Sequence, residues 1–270
     1  MGKEFDIDAY LERIGVDSAI SISEDFLERS HRAHTYTIPF ENFDILLGRG
    51  IDLSPEKLFQ KIILNSRGGY CFELNGLYLQ LLRLLGFQVK PLLARVHLRG
   101  EPGGRHHQLT LVTLNDRDWI ADVGFGANGL RAPIPYETDV VHRQDGLDFR
   151  LMDSPPFGTM LQIREQERWQ NLYSFELGHV CSGDIDSGNH YTSTSPGSYF
   201  TWARVATLPN VDGRVSLNDF TLTIVSNSDT RVLQLEHDAS YLEKLREFFG
   251  IVIDAPYETI NPLNQKPDIY

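Results

Sequence analysis

Residues 67–75 read RGGYCFELN and place Cys71 directly before a segment with helical periodicity. Apolar residues follow at the three- and four-residue steps of one helix face: Leu74, Leu77, Tyr78, Leu81, Leu82 and Leu85. A thiol at a helix N-terminus lies at the positive end of the helix dipole, which favours the nucleophilic thiolate. Gly68 and Gly69 are expected to allow a tight turn beside the reacting group. Because an isolated cysteine is more often buried and inert, Cys71 is a nucleophile only if other residues activate it.

Composition and charge exclude several classes of protein. The 270 residues are 41% hydrophobic and 23% charged, as in an ordinary globular protein, and their formal net charge is −12. Nucleic-acid partners are not expected, because phosphate binding needs a basic surface. Two cysteines, Cys71 and Cys181, do not make a disulfide scaffold. Without an apolar signal segment or a run long enough to span a bilayer, the chain is expected to be cytoplasmic and free of membrane partners.

The order of sequence patterns along the chain predicts an α+β fold. Helical periodicity dominates up to Gly86, with helix starts at Ser21 and at Ser54-Pro55-Glu56. Short β-rich segments then predict strands, and residues 238–249 predict a last helix. Residues 178–198 carry Gly, Ser, Asn and Asp with little periodicity, so they predict a long loop.

A reactive cysteine needs a base and a third group that orients the base. His107 begins one predicted strand and Asp122 ends the next, so pairing of these strands would bring an imidazole and a carboxylate together. The Cys71 helix packed against that corner would complete a Cys-His-Asp site. His106 is a rival base because it is adjacent. Taken alone, His107 could be a surface or core histidine, and Asp122 could be a turn residue.

Four segments together resemble the motifs of arylamine N-acetyltransferases, in the order of that family. Residues 67–75 resemble its nucleophile motif, residues 38–43 (IPFENF) its IPFEN motif, and residues 122–126 (DVGFG) its DVGFG segment. The spacing of His107 and Asp122 is typical of the family. Residues 191–196 (YTSTSP) are similar to its STHP segment, although Ser195 stands where the family often has His.

The resemblance implies a role for each residue of the site. Cys71 would be the nucleophile, His107 its base and acid, and Asp122 the group that orients His107. Glu41 and Arg67 would pair beneath the site, where Arg67 could hold the glycine turn. If that pair were exposed instead, it would contribute little.

The resemblance also implies an architecture built on a papain/transglutaminase-like cysteine enzyme core. Residues 1–88 would form an N-terminal helical bundle carrying the nucleophile. Residues 89–200 would form a central antiparallel β-barrel carrying the histidine and the aspartate, and residues 201–270 a C-terminal α/β lid.

The implied reaction is ping-pong acetyl transfer through a thioester on Cys71. Acetyl-CoA would be the acyl-donor co-substrate, with no permanently bound cofactor or metal, and an arylamine, arylhydroxylamine or arylhydrazine would accept the acetyl group. Phe125 and Gly126, and more weakly Phe40, are expected to line an apolar acceptor slot. Three arginines flank the Gly103-Gly104 loop and are candidate phosphate contacts of CoA: Arg95, Arg99 and Arg105.

Three alternatives stay open from the sequence. An amide synthase of the same fold would act on a carrier-bound polyketide thioester, and would not turn over acetyl-CoA with a simple arylamine. A cysteine hydrolase would release peptide fragments without CoA. A non-catalytic binding module would show no selective alkylation of Cys71 over Cys181. The oligomeric state is not indicated by the sequence.

Overall fold

The computed structural model describes residues 5–17, 19–98, 101–227 and 229–267. Helices dominate up to Gly86, as the periodicity predicts. Ser23, not Ser21, caps the second helix, since its Oγ accepts the backbone N–H of Phe26 at 3.2 Å. None of the helices in the described ranges is long and apolar enough to cross a membrane. The helices of this part are α1 (Ile7–Ile14), α2 (Glu24–Thr37), α3 (Phe43–Leu46), α4 (Pro55–Leu58), a π-helical turn (Phe59–Leu64) and α5 (Cys71–Leu84).

The middle of the chain forms a curled antiparallel sheet. Within the described residues it has eight strands in the order β5-β4-β3-β2-β9-β8-β7-β6. Its two ends are bridged by Gln144, which accepts the N–H groups of Arg131 and Ala132 at 2.8 and 3.1 Å. The α+β prediction is therefore confirmed. The strands are β2 (Gln88–Val96), β3 (His107–Leu114), β4 (Arg117–Ala121), β5 (Ile134–Pro135), β6 (Val141–Gln144), β7 (Leu147–Asp153), β8 (Thr159–Glu165) and β9 (Arg168–Phe175).

A second antiparallel sheet includes a strand from each end of the chain. β1 (Phe40–Glu41) pairs with β10 (Val205–Asn210), with Phe40 opposite Thr207. The sheet continues through β11 (Gly213–Asn218), β12 (Thr221–Ser226) and β13 (Asp229–Gln234). Helix α7 (Ser240–Phe249) packs on this sheet through buried apolar side chains. Because β1 directly precedes α3, this sheet is tied to the helices that carry Cys71.

The predicted loop at residues 178–198 is wrong, since α6 (Ser182–Thr194) occupies most of it. The buried face of α6 consists of small residues, Gly188, Thr192 and Ser193, so it shows no apolar period. Gly188 allows close packing: a Cβ there would lie 2.7 Å from the ring of Phe72. Apolar periodicity therefore did not predict α6, because this helix packs through small side chains.

Gly68 and Gly69 are required by crowding and not by an unusual backbone conformation. Their φ angles lie outside the left-handed region. A Cβ on Gly68 would lie 2.0 Å from the carbonyl oxygen of Pro39, and one on Gly69 would lie 2.8 Å from the Cβ of Glu73. The N–H of Glu41 donates to the carbonyl of Gly69 at 2.9 Å, so β1 runs directly against this segment. Gly68 and Gly69 are thus required because neighbouring atoms leave no room for a Cβ, and not because of the tight turn that the sequence predicts.

We expect Gly68→Ala to destabilise the protein by about 2 kcal/mol or more, because the clashing atom belongs to the backbone and cannot move aside. Chemical denaturation followed by circular dichroism measures this. Gly178→Ala is the matched control, because a Cβ there meets nothing within 4 Å. The control should change stability by less than about 0.5 kcal/mol. Equal stability of the two variants would contradict the crowding argument.

Candidate active site

Three elements bring Cys71, His107 and Asp122 together. Cys71 is the first residue of α5 and is 4% exposed, and its Sγ lies 3.8 Å from the carbonyl oxygen of His106. His107 begins β3, is 2% exposed, and lies close enough to Cys71 for the two side chains to interact. Its Nε2 lies 2.8 Å from Oδ2 of Asp122, which directly follows β4. The pairing of β3 with β4 and the packing of α5 on β3 produce this arrangement.

The Asp122 carboxylate is held by more than His107. Its Oδ1 accepts a hydrogen bond from Nδ2 of Asn75 at 2.9 Å and one from the backbone N–H of Gly124, also at 2.9 Å. The Oδ1 of Asn75 accepts the N–H of Val123 at 3.0 Å. No sequence pattern assigns Asn75 this role. The available signal was its position four residues after Cys71, which puts both on one face of the helix.

Gly124 allows the loop after β4 to approach α5 closely. A Cβ at this position would lie 2.6 Å from Nδ2 of Asn75 and 3.0 Å from the Cα of Cys71. The glycine of the DVGFG segment therefore sets the distance between the carboxylate and the cysteine helix.

Burial and charge act in opposite directions on the histidine and the aspartate. Burial lowers the pKa of His107, but the charge and hydrogen bond of Asp122 and the contact with Cys71 raise it to about 10. Burial raises the pKa of Asp122, but the charge of His107 and the hydrogen bonds from His107, Asn75 and Gly124 together outweigh burial and hold that pKa below its usual value. The pair is therefore an imidazolium and a carboxylate at neutral pH.

His106 occupies a different environment from His107. Its ring stacks on Tyr191 with centroids 4.1 Å apart, and burial lowers its pKa. The ring of His107 instead contacts Phe125 edge-on, with centroids 5.1 Å apart, and Tyr173 with centroids 5.0 Å apart. Of the two neighbouring histidines, His107 is therefore the one held against a carboxylate.

A buried ion pair lies beneath the glycine segment. Nη2 of Arg67 is 2.8 Å from Oε1 of Glu41 and 3.2 Å from Oδ1 of Asp44. Burial alone would lower the pKa of Arg67, but these two carboxylates raise it above its usual value. Oε2 of Glu41 also accepts the N–H of Phe43 at 2.8 Å. Glu41 and Arg67 thus form a buried contact that fixes β1 against the segment before Cys71.

Lys61 extends this network to the start of α5. Its Nζ lies 2.8 Å from Oδ2 of Asp44 and 2.7 Å from Oε1 of Glu73. The other oxygen of Glu73 accepts the N–H of Tyr70 at 3.1 Å and so caps the helix that begins at Cys71. The sequence analysis assigned no role to Lys61, Asp44 or Glu73. The quoted motif does contain an acid at the third helix position, which is a typical capping signal.

A cavity of about 470 Å³ opens beside Cys71 and His107. Its lining includes all three predicted acceptor-slot residues, Phe40, Phe125 and Gly126. Helix α6, the segment after it and the second sheet complete the wall, with side chains to which the sequence patterns assign no role: Tyr191, Phe200, Thr207 and Leu217. An aromatic pocket therefore adjoins the sulfur atom.

The candidate phosphate contacts are placed differently from one another. Nη1 of Arg95 donates to the carbonyl of Gly103 at 2.9 Å and so braces the loop. Arg105 lies near enough to lower the pKa of Asp184 through its charge. Neither arginine is among the described residues that line the cavity. Arg99 lies outside the described residues.

Ser195, at the position where histidine was noted as frequent, ends α6. Its N–H donates to the carbonyl of Tyr191 at 2.9 Å, and its Oγ accepts the N–H of Gly197 at 3.3 Å. The serine therefore acts locally in the turn after the helix. Across the ranges that the structure describes, no group of three or more His, Cys, Asp or Glu residues is arranged to hold a metal ion.

Comparisons with known proteins agree in sequence and in fold. A family model described as N-acetyltransferase matches residues 25–257. The arylamine N-acetyltransferase of Escherichia coli (strain K12) is 36% identical over 250 residues, covering 91% of this chain and 88% of that protein. The structure of the Salmonella typhimurium arylamine N-acetyltransferase matches with a TM-score of 0.87 at 34% identity, covering 92% of each chain. That of the Mycobacterium marinum arylamine N-acetyltransferase in complex with CoA has a TM-score of 0.88 at 32% identity, covering 95% of this chain and 97% of that one. The chain therefore belongs to the arylamine N-acetyltransferases, a family of acyltransferases.

Proposed function

We propose that this chain transfers an acetyl group from acetyl-CoA, through a thioester on Cys71, to arylamines, arylhydroxylamines or arylhydrazines. The observation that carries the proposal is that Cys71 lines the same cavity as His107, whose imidazole is itself 2.8 Å from Asp122. A thiolate beside an imidazolium is the reactive form of a catalytic cysteine. The CoA complex of the Mycobacterium marinum relative supports CoA as the carrier of the donated group.

In the first half-reaction the Cys71 thiolate attacks the thioester carbonyl of acetyl-CoA. The tetrahedral intermediate collapses with loss of the CoA thiolate, which takes the proton of the His107 imidazolium and departs as the free thiol. Cys71 is left acetylated and His107 neutral. The N–H of Cys71 lies in the first turn of α5, where backbone N–H groups have no acceptor within the helix, so it is a candidate donor to the oxyanion.

In the second half-reaction the amine attacks the acetyl carbonyl on Cys71. The neutral His107 accepts the proton that the amine loses, the carbon–sulfur bond breaks, and the Cys71 thiolate leaves. The amide product departs, and the imidazolium–thiolate pair is restored. Asp122 holds the ring so that one nitrogen faces the sulfur atom throughout, and it stabilises the imidazolium.

The cavity supports an aromatic acceptor. Phe40 and Phe200 pack with centroids 5.7 Å apart, Phe125 lies beside His107, and all three rings line the cavity. A flat ring packed against such side chains gains contact area and favourable edge or face interactions. Because Cys71 lines the same cavity, an amino group on that ring would be near the thioester carbon. The wall of aromatic residues is the feature that favours arylamines over aliphatic amines.

Brief mixing with acetyl-CoA and no acceptor should add one acetyl group to the wild-type protein, because no amine is present to take the acetyl group from Cys71. Intact-mass spectrometry measures the gain. Cys71→Ala should gain nothing, while the matched variant Cys181→Ala should be acetylated like the wild type, because Cys181 is exposed and is not among the described residues that line the cavity. Acetylation of Cys71→Ala would overturn the assignment of the nucleophile.

Steady-state turnover of acetyl-CoA and a simple arylamine should follow ping-pong kinetics, because CoA leaves before the amine reacts. Double-reciprocal plots at several fixed amine concentrations should give parallel lines. Intersecting lines would point to direct transfer within a ternary complex. A Cys71 that is acetylated but never transfers to a simple arylamine would favour the amide synthase alternative.

The pH dependence of Cys71 alkylation should show whether the Cys71 thiolate is paired with the His107 imidazolium. His107 stays protonated below its pKa of about 10, so the thiolate keeps its cationic partner at neutral and mildly alkaline pH. The iodoacetamide reaction rate should therefore change less than about threefold between about pH 6.5 and 9, whereas an ordinary small thiol gains more than about tenfold over that interval.

In the Asp122→Asn variant, the alkylation rate of Cys71 should no longer stay nearly constant with pH. Removing the carboxylate leaves burial as the dominant influence on His107, so its pKa falls below the ordinary value and the ring is neutral through the same pH interval. The alkylation rate of Cys71 should then rise with pH like that of the small thiol, and acetylation should fall by at least about a hundredfold. A flat profile in a folded Asp122→Asn protein would contradict the role proposed for Asp122.

A further inference from the structure

The backbone of Asp122 is bound to a histidine that the sequence analysis did not single out. His31 lies on α2, is 0% exposed, and its Nε2 accepts the N–H of Asp122 at 3.0 Å. The last residue pair between β3 and β4 joins Thr110 to Ala121, so the Asp122 N–H lies just beyond the paired strands. A buried N–H without an acceptor is costly, and here the imidazole takes the place of a partner strand.

The direction of this hydrogen bond fixes the protonation of the ring. An Nε2 that accepts must be unprotonated, so His31 is neutral and carries its proton on Nδ1. Burial lowers the pKa of His31 to about 4, even though the charge of Asp122 raises it. Between about pH 4 and pH 10, therefore, the His31 ring is an acceptor while His107 is an imidazolium.

Packing keeps the His31 ring in this orientation. Tyr78 of α5 meets it edge-on, with centroids 5.8 Å apart and planes at 90°. The neighbours of His31 on α2 are also bound: Oγ of Ser30 lies 3.0 Å from the hydroxyl of Tyr78, and Nδ1 of His34 is hydrogen-bonded to the hydroxyl of Tyr10. The ring cannot turn away from Asp122 without disturbing contacts among α1, α2 and α5.

We propose that His31 is a positioning residue for acetyl transfer, acting as a neutral acceptor that fixes the Asp122 backbone and so aims its carboxylate at His107. This inference rests on the proposed function of Cys71, His107 and Asp122. The carboxylate of Asp122 is bound by Asn75, Gly124 and His107, and the following N–H, that of Val123, is bound by Asn75. His31 binds the N–H of Asp122 itself and so adds a fixed point at the residue that carries the carboxylate.

Two substitutions at position 31 distinguish the effect of losing the hydrogen-bond acceptor from the effect of losing the imidazole ring. In His31→Gln the amide oxygen reaches the position of Nε2 and can accept the Asp122 N–H. In His31→Asn the shorter amide reaches only the position of Nδ1, so the N–H loses its acceptor. His34→Gln is the matched control, because it also replaces a buried histidine of α2 and removes the Tyr10 contact, but does not touch Asp122.

We expect His31→Asn to slow acetylation of Cys71 at saturating acetyl-CoA by at least about tenfold, since misplacing a catalytic group by a fraction of an ångström has effects of this size. The KM for acetyl-CoA should change less than about twofold, because the donor does not touch His31. His31→Gln and His34→Gln should stay within about threefold of the wild-type rate, although His34→Gln also loses thermal stability.

A folded His31→Asn protein that is acetylated at the wild-type rate would overturn the inference, as would folded Gln and Asn variants that are equally slow. Should the Asn variant fail to fold, NMR of the wild type decides. We expect a scalar coupling between the Asp122 amide nitrogen and Nε2 of His31, with the ring proton on Nδ1. A proton on Nε2, or no coupling, would overturn the inference. A wild type that shows this coupling but gains no acetyl group would instead contradict the proposed function.

Discussion

The hydrogen bond between Nε2 of His107 and Oδ2 of Asp122 is the contact on which the site depends. Both groups are almost fully buried. An ionised side chain without a partner at such a position would cost several kcal/mol, or the group would lose its charge instead. Each group makes the charged form of the other tolerable. The remaining partners of Asp122 are then required to keep the carboxylate where the imidazolium can use it. The site is therefore stable only as a unit.

The second constraint is distance between backbones. The sulfur atom is carried by a helix, the imidazole by the start of a strand, and the carboxylate by the residue after another strand. Glycines set how near these elements can come: Gly68 against Pro39, Gly124 against Asn75 and Cys71, and Gly188 against Phe72. In each case a single methyl group would separate the elements. The close approach of main chains, more than any one side-chain bond, turns an α+β scaffold into a cysteine site.

Local signals predicted the α+β class, the helix after Cys71 and the strands that carry His107 and Asp122. They failed where structure depends on partners far along the chain. Helix α6 has a buried face of Gly188, Thr192 and Ser193, and no periodicity rule detects a helix packed through its smallest residues. His31 acts on Asp122 across 91 positions of sequence, and nothing around it distinguishes it from a core histidine. Resemblance to a family selected Cys71, His107 and Asp122 as candidates, whereas the residues that contact them could be found only from the structure.

The start of α5 poses an electrostatic problem that the buried ion pairs resolve. Glu73 caps this helix by accepting the N–H of Tyr70, but a bare carboxylate two residues after Cys71 would oppose the formation of a thiolate. Lys61 lies 2.7 Å from Glu73, Asp44 lies between Lys61, Arg67 and Arg49, and Arg67 also pairs with Glu41. The three carboxylates are thus matched by three cations, so the network adds no net negative charge beside the start of α5. A carboxylate can therefore cap this helix without opposing the role proposed for Cys71.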